Sequence, residues 1–229
     1  MPRSFLMLLL GLCALLSLGF GPPRLTESDL ALRALTPQQV ALMRDEPVPT
    51  ITAASALLAN PTTGQMIVAQ NEHARRAPAS LTKLVTAIVA LERGDLDQEL
   101  TVTEEDLKIW TMIGLEEQET LSLYDMLYVL LVPSDNTAAV TIARTLGGTE
   151  EVFVGWMNEW VERHGLRDTH FANPHGLDAE NNYTSAWDMA QIALYAESVP
   201  ILREILSQAE VIAANRRLVS TNEMLASYP

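Results

Sequence analysis

Residues 78–94 read Pro78-Ala79-Ser80-Leu81-Thr82-Lys83-Leu84-Val85-Thr86-Ala87-Ile88-Val89-Ala90-Leu91-Glu92-Arg93-Gly94. After Pro78 the stretch contains no helix breaker until Gly94, so it predicts a helix from the Pro-Ala-Ser lead to about Arg93. Leu81, Leu84, Val85, Ile88, Val89 and Leu91 cover most of the helical circumference. A helix that is apolar nearly all round belongs in the centre of a fold. The remaining elements are therefore expected to pack around it.

The same stretch carries the first candidate chemistry. Ser80 and Lys83 stand at i and i+3, which share a helix face, so hydroxyl and amine can approach. A serine hydroxyl needs a base to become a nucleophile. A lysine can be that base when burial lowers its pKa. Ser80 also falls in the first turn, where unpaired backbone N–H groups and the helix dipole favour a developing oxyanion. The spacing also arises by chance, so a second element is required. Ser134-Asp135-Asn136 is available, between an apolar helix closed by Pro133 and a new helix. Its hydroxyl can relay a proton and its carboxamide can hold a substrate peptide group. The bland reading of Ser134 is an N-cap. Ser220-Thr221-Asn222 fits the same pattern but lies in an expected strand-to-loop segment.

Upstream, Ile51–Ala59 and Gln65–Gln70 flank Asn60-Pro61-Thr62-Thr63-Gly64 and predict a β-hairpin. Downstream, residues 92–119 carry ten acidic side chains in an irregular pattern unlike a calcium loop, and read as a solvated connection. Ser122 with Asp125 forms a capping box for a helix over Leu123–Leu131. The next helix runs from near Ser134 to about Leu146. Thr149 caps another to His164, and Gly165 closes it. Residues 166–183 read as loop. Ser185 with Asp188 caps a helix to about Glu197, and Pro200–Gln208 is a further one. Strands are expected over Glu210–Ala214 and Leu218–Ser220, around Asn215-Arg216-Arg217. A strand pair, many helices and a return to strands indicate an α+β fold.

The chain has 229 residues, 15 basic against 29 acidic, and a net charge of −14. That balance argues against a nucleic-acid partner. Cys13 is the single cysteine, which excludes a disulfide framework and a thiolate zinc site. The histidines lack helical zinc spacing and no H-E-x-x-H occurs, so no metal or cofactor is expected. Met1–Arg3 form a short positive stretch, Phe5–Phe20 are almost wholly apolar, and Gly19–Pro23 are small or breaking. This is the order of a secretory signal, so residues 1–21 are expected to be a signal peptide or an N-terminal membrane anchor, and the protein to be exported to the cell envelope. Five prolines break residues 22–50, which read as a linker.

Together these segments resemble a known family. Ser-x-x-Lys followed by Ser-x-Asn is similar to the serine penicillin-recognising enzymes. Pro78–Leu84, Leu130–Asn136 with Ala138-Ala139, Phe171-Ala172-Asn173-Pro174-His175-Gly176-Leu177-Asp178, and the Asn60–Gly64 turn look like segments of the D-alanyl-D-alanine carboxypeptidase family, peptidase family S11. The resemblance covers about residues 51–229. It implies a β-lactamase/transpeptidase-like fold, with a helical cluster against an antiparallel sheet. It also implies an acyl-enzyme on Ser80, with Lys83 as base, Ser134 as proton relay and Asn136 binding the substrate backbone. The substrate would be a peptidoglycan stem peptide ending in D-Ala-D-Ala, and β-lactams would be covalent inhibitors. His175–Asp178 are taken as structural loop residues. A class A-like β-lactamase is the lesser reading, because no Glu-x-x-x-Asn occurs between Asn136 and Asn173. A non-catalytic penicillin-binding or sensor module is the other alternative. The family's third motif, Lys-Thr-Gly, is not in the chain, whose only lysines are Lys83 and Lys108. In the family it lies on a strand shortly after a segment like Asn222–Pro229. The expectation is a C-terminally truncated sequence of the enzyme, lacking that strand and the end of its catalytic domain, so that these 229 residues alone could be inactive.

Overall fold

The computed structural model describes residues 33–34, 50–110 and 113–227. The expected signal or anchor at residues 1–21 lies outside these, as does most of the expected linker. From that linker, Arg33–Ala34 form a short strand, β1. Strand β2 (Ala56–Asn60) and strand β3 (Gln65–Gln70) form the expected antiparallel hairpin, and β1 joins β3 in parallel, giving the order β1-β3-β2. The Asn60 side chain accepts from the N–H groups of Thr62 and Thr63, the local bonds that make Asn a turn residue.

Helix α1 (Thr82–Arg93) is the central element. It contacts four helices: α2 (Leu123–Leu131), α3 (Asn136–Gly147), α4 (Glu150–Arg163) and α5 (Ala186–Ser198). Val85, Ile88 and Val89 are buried, along with Ala87 and Ala90 at the close helix contacts. Each large aliphatic side chain buried this way is worth about 1.5–3 kcal/mol. Burial is less than all round: Leu81 stands half exposed beside Ser80, and Leu84 and Leu91 are only half-buried.

The helix starts are built as the sequence indicates. Ser122, Thr149 and Ser185 each accept, through their hydroxyls, the N–H three residues on. Ser134 differs from its bland reading. Asp135 is the N-cap of α3, its carboxylate accepting from Ala138 N–H at 2.9 Å, and this leaves Ser134 outside the helix. Helix α6 (Pro200–Leu206) follows α5 and packs against it and α2.

The acidic tract is not simply a solvated connection. Glu99–Thr101 (β4) pairs antiparallel with Thr120–Ser122 (β5), closing the tract into a loop. Asp106 within it is fully buried, held by Arg144 of α3 at 2.8 and 2.9 Å and by Thr103 and Thr141. Charge counting missed this because the partner lies 38 residues away. The last hairpin, β6 (Glu210–Ala213) and β7 (Arg216–Val219), turns at Ala214-Asn215, both with positive φ (50° and 55°). Two successive left-handed residues match the twist of a tight hairpin. Strand β7 therefore starts two residues earlier than expected. Apart from the parallel β1–β3 pair, the described residues mix helices with antiparallel strands, as the α+β reading required.

Candidate active site

The nucleophile candidate sits on a junction. Ala79–Leu81 form a single 3-10 turn, and the α-helix begins only at Thr82. Ser80 is thus two residues before α1 rather than in its first α-helical turn. Ala79 holds φ +48°, in the left-handed region that a non-glycine residue adopts only at a cost. Ser134 does the same at φ +63°. Both strained residues line one cavity of about 510 Å³.

Ser80 is exposed at that cavity and Lys83 lies buried behind it, 2% exposed. The Lys83 Nζ is 3.2 Å from Ser80 Oγ and donates to the His175 carbonyl at 2.9 Å. Burial pushes the Lys83 pKa from its ordinary 10.5 down to about 8, against the upward pull of the Asp135 carboxylate. Ser134 lines the same cavity, so three of the four residues singled out by the sequence meet there. Asn136, the fourth, opens α3 and is mostly covered, at 8% exposed; it is not among the cavity-lining residues.

The second Ser-x-Asn, Ser220-Thr221-Asn222, also lines this cavity, which the sequence did not foresee. Its side chains hold a turn: Ser220 Oγ accepts from Asn222 N–H and Asn222 Oδ1 accepts from Met224 N–H. The Thr221 N–H donates to the Val132 carbonyl at 3.2 Å, which ties the segment to the chain entering Ser134. The far wall is apolar, formed by Leu130, Ala193, Ala196 and Ile205, with Glu197 beside them.

The loop read as structural lies against the same residues. The His175 carbonyl is the buried acceptor of Lys83, and Pro174 offers its carbonyl to Thr86 Oγ1 at 2.6 Å. The His175 ring accepts from Leu177 N–H through Nδ1, and burial together with the Lys83 charge lowers its pKa to about 4. It is therefore neutral at physiological pH and adds no charge beside Lys83. The sequence separation of 92 between Lys83 and His175 left no local signal of this contact; only the family resemblance marked the segment.

Among the described residues, no helix is long and apolar enough to cross a membrane. A sequence model of the D-alanyl-D-alanine carboxypeptidase family, peptidase S11, matches residues 42–227. The chain is 37% identical over 160 residues to the D-alanyl-D-alanine carboxypeptidase DacD of Escherichia coli K12, covering 63% of this chain and 40% of that protein. It is 32% identical over 188 residues to DacF of Bacillus subtilis, covering 77% of this chain and 48% of DacF. The chain thus spans less than half the length of these curated relatives. Among solved structures, penicillin binding protein 6B of E. coli superposes with a TM-score of 0.71 at 33% identity, over 79% of this chain and 61% of that one. The core around α1, the Ser80–Lys83 contact and this likeness agree: the chain belongs to the D-alanyl-D-alanine carboxypeptidase family, peptidase S11.

Proposed function

We propose that the protein is a serine D-Ala-D-Ala carboxypeptidase acting on peptidoglycan stem peptides through an acyl-enzyme on Ser80. The observation that supports this best is the buried Lys83 amine, 3.2 Å from Ser80 Oγ, with its pKa lowered to about 8. Roughly a tenth of such an amine is unprotonated at neutral pH, against less than a thousandth of an ordinary lysine. That is the property a general base needs.

In this reading Lys83 takes the Ser80 proton as Oγ attacks the carbonyl of the penultimate D-alanine. The tetrahedral intermediate collapses, the C–N bond breaks, and the departing D-alanine amine receives a proton through Ser134. Water then attacks the ester and frees the shortened peptide, returning the proton to Ser80. Asn136, at the start of α3, is assigned to the substrate backbone; its low exposure requires that the groups over it move aside or that it contacts substrate through its edge. The exposed hydroxyl with a buried base behind it also fits covalent capture of β-lactams, whose strained amide presents the same carbonyl. The work is assigned to the cell envelope, where the substrate is found, with export directed by residues 1–21 as signal or anchor and residues 22–50 as linker.

The test uses the protein at its full natural length. Release of D-alanine from a pentapeptide, abolished by Ser80→Ala, is expected. A stable penicillin adduct on Ser80 without peptide turnover would favour a penicillin-binding sensor instead. Fast hydrolysis of the antibiotic would favour a β-lactamase.

A further inference from the structure

The segment Asn173–Leu177 is the second wall of the Lys83 site, and it is built with unusual care. Asn173 is buried, and its side chain bridges the loop internally. Its Oδ1 accepts from Gly176 N–H at 2.7 Å and its Nδ2 donates to the Leu177 carbonyl at 2.9 Å. This closes a turn whose two outward carbonyls, Pro174 and His175, both face α1. Thr86, one helical turn after Lys83 and fully buried, donates to the first at 2.6 Å; Lys83 donates to the second at 2.9 Å. Gly176 has φ +90°, and a Cβ there would lie 1.8 Å from the Ala79 carbonyl oxygen. Only glycine lets the loop press this closely on the turn that carries Ser80.

The loop is fixed at its upstream end as well. Asn158 of α4 makes two hydrogen bonds to the Phe171 backbone, at 2.8 and 2.9 Å, and the Phe171 ring is fully buried. His170 and Tyr183 bridge just beyond. Neither Asn173 nor Thr86 lines the cavity.

We propose that Asn173 and Thr86 are positioning residues for the Ser80–Lys83 pair: they lock the 173–177 loop over Lys83, fixing its amine beside Ser80 and shutting water out. The inference rests on the acyl-enzyme reading for its catalytic meaning, but its structural content does not depend on it. Among the described residues, the charged groups facing Lys83 are few. Asp135 before α3 raises its pKa, the neutral His175 ring contributes no charge, and Glu197 of α5 lines the same cavity. Burial is the largest influence and acts downward. Releasing the loop admits water, so the Lys83 pKa must rise toward the ordinary lysine value. For each pH unit of rise, the free amine at neutral pH falls about tenfold.

The test is an NMR titration of the 229-residue chain labelled with 13Cε-lysine, in which Lys83 and Lys108 are the only lysines. Lys83 is assigned by loss of its signal in Lys83→Arg, and Lys108 serves as the exposed reference. In the unaltered chain Lys83 is expected to titrate near 8. In Asn173→Ala and Thr86→Val its midpoint is expected to rise by at least one pH unit, while Thr86→Ser, which keeps the hydroxyl, restores it. In the peptide-hydrolysis assay the first two variants lower kcat about tenfold or more and leave KM for the peptide unchanged. Folded Asn173→Ala and Thr86→Val proteins whose Lys83 titrates as in the unaltered chain would overturn the proposal. Should both variants unfold, hydrogen exchange of the unaltered chain decides: slow exchange of the Gly176 amide supports the lock and rapid exchange refutes it. Absence of any Ser80 acylation in the unaltered protein, with Lys83 still titrating near 8, would count against the acyl-enzyme reading and not against the loop.

Discussion

Replacing Lys83 with methionine isolates what it costs the fold to bury that amine. Lowering its pKa from 10.5 to about 8 corresponds, at 1.36 kcal/mol per pH unit, to about 3 kcal/mol of destabilisation in the charged state. The sign follows from proton counting. Between pH 8 and 10.5 the unfolded chain holds a proton on Lys83 that the folded one lacks, so stability of the unaltered protein rises with pH over that window. Below pH 8 the full cost is present. Methionine fits a buried, largely apolar site of similar length and removes that cost. It also leaves the His175 carbonyl without its donor, a loss of about 1–2 kcal/mol. At pH 7 the variant is therefore expected to be more stable by about 1–2 kcal/mol. From pH 8 to 10.5 its advantage falls by about 1.4 kcal/mol per pH unit, so it reverses at about pH 9. Paired urea unfolding curves at pH 7, 8.5 and 10 measure this, because His175, the group whose pKa the Lys83 charge lowers, is already neutral across that range. A stability difference that stays flat across that range would falsify the buried, depressed lysine on which the base assignment stands.

Two further perturbations probe the surroundings. Gly176→Ala puts a methyl group against the Ala79 carbonyl at a left-handed backbone position, and is expected to cost roughly 2–4 kcal/mol, measured as a drop in Tm. An unchanged Tm would mean that the loop does not press on the Ser80 turn. Asp106→Asn breaks a buried, bidentate pair with Arg144 and is expected to cost about 3 kcal/mol at pH 7. The Arg144 guanidinium and the Thr103 bonds hold the Asp106 pKa below the usual 3.8, against the effect of burial. Its contribution is thus complete above the unfolded-state pKa and disappears as pH falls through the lower folded value. The difference between variant and unaltered protein should be constant from pH 5 to 8 and shrink only below pH 4.

What could be read without coordinates was what local chemistry writes. Ser122, Thr149 and Ser185 are caps because their hydroxyls reach an N–H three residues on, and the run after Ser80 is a core helix because apolar residues cover most of its circumference. Ser80 and Lys83 were legible because i and i+3 meet on any helix, and the 3-10 turn at Ala79–Leu81 only alters their approach. Long-range partners were not legible. Asp106 looked like one more solvated carboxylate until Arg144 met it, and β4 and β5 were too short to stand out from the acidic residues around them. The cap of α3 went to Asp135, since a carboxylate in that position competes well with the preceding hydroxyl, and this leaves Ser134 on the strained corner beside the cavity. The loop at Asn173–Leu177 reaches Lys83 across more than ninety residues, so periodicity could not find it.

The central claim is that Ser80 is a nucleophile served by Lys83. Intact-protein and peptide mass spectrometry of the full-length protein after incubation with a penicillin tests it most directly. The account predicts one added antibiotic mass, located on the peptide containing Ser80, absent from Ser80→Ala and formed far more slowly by Lys83→Met. No adduct, or an adduct that persists in Ser80→Ala, would contradict it.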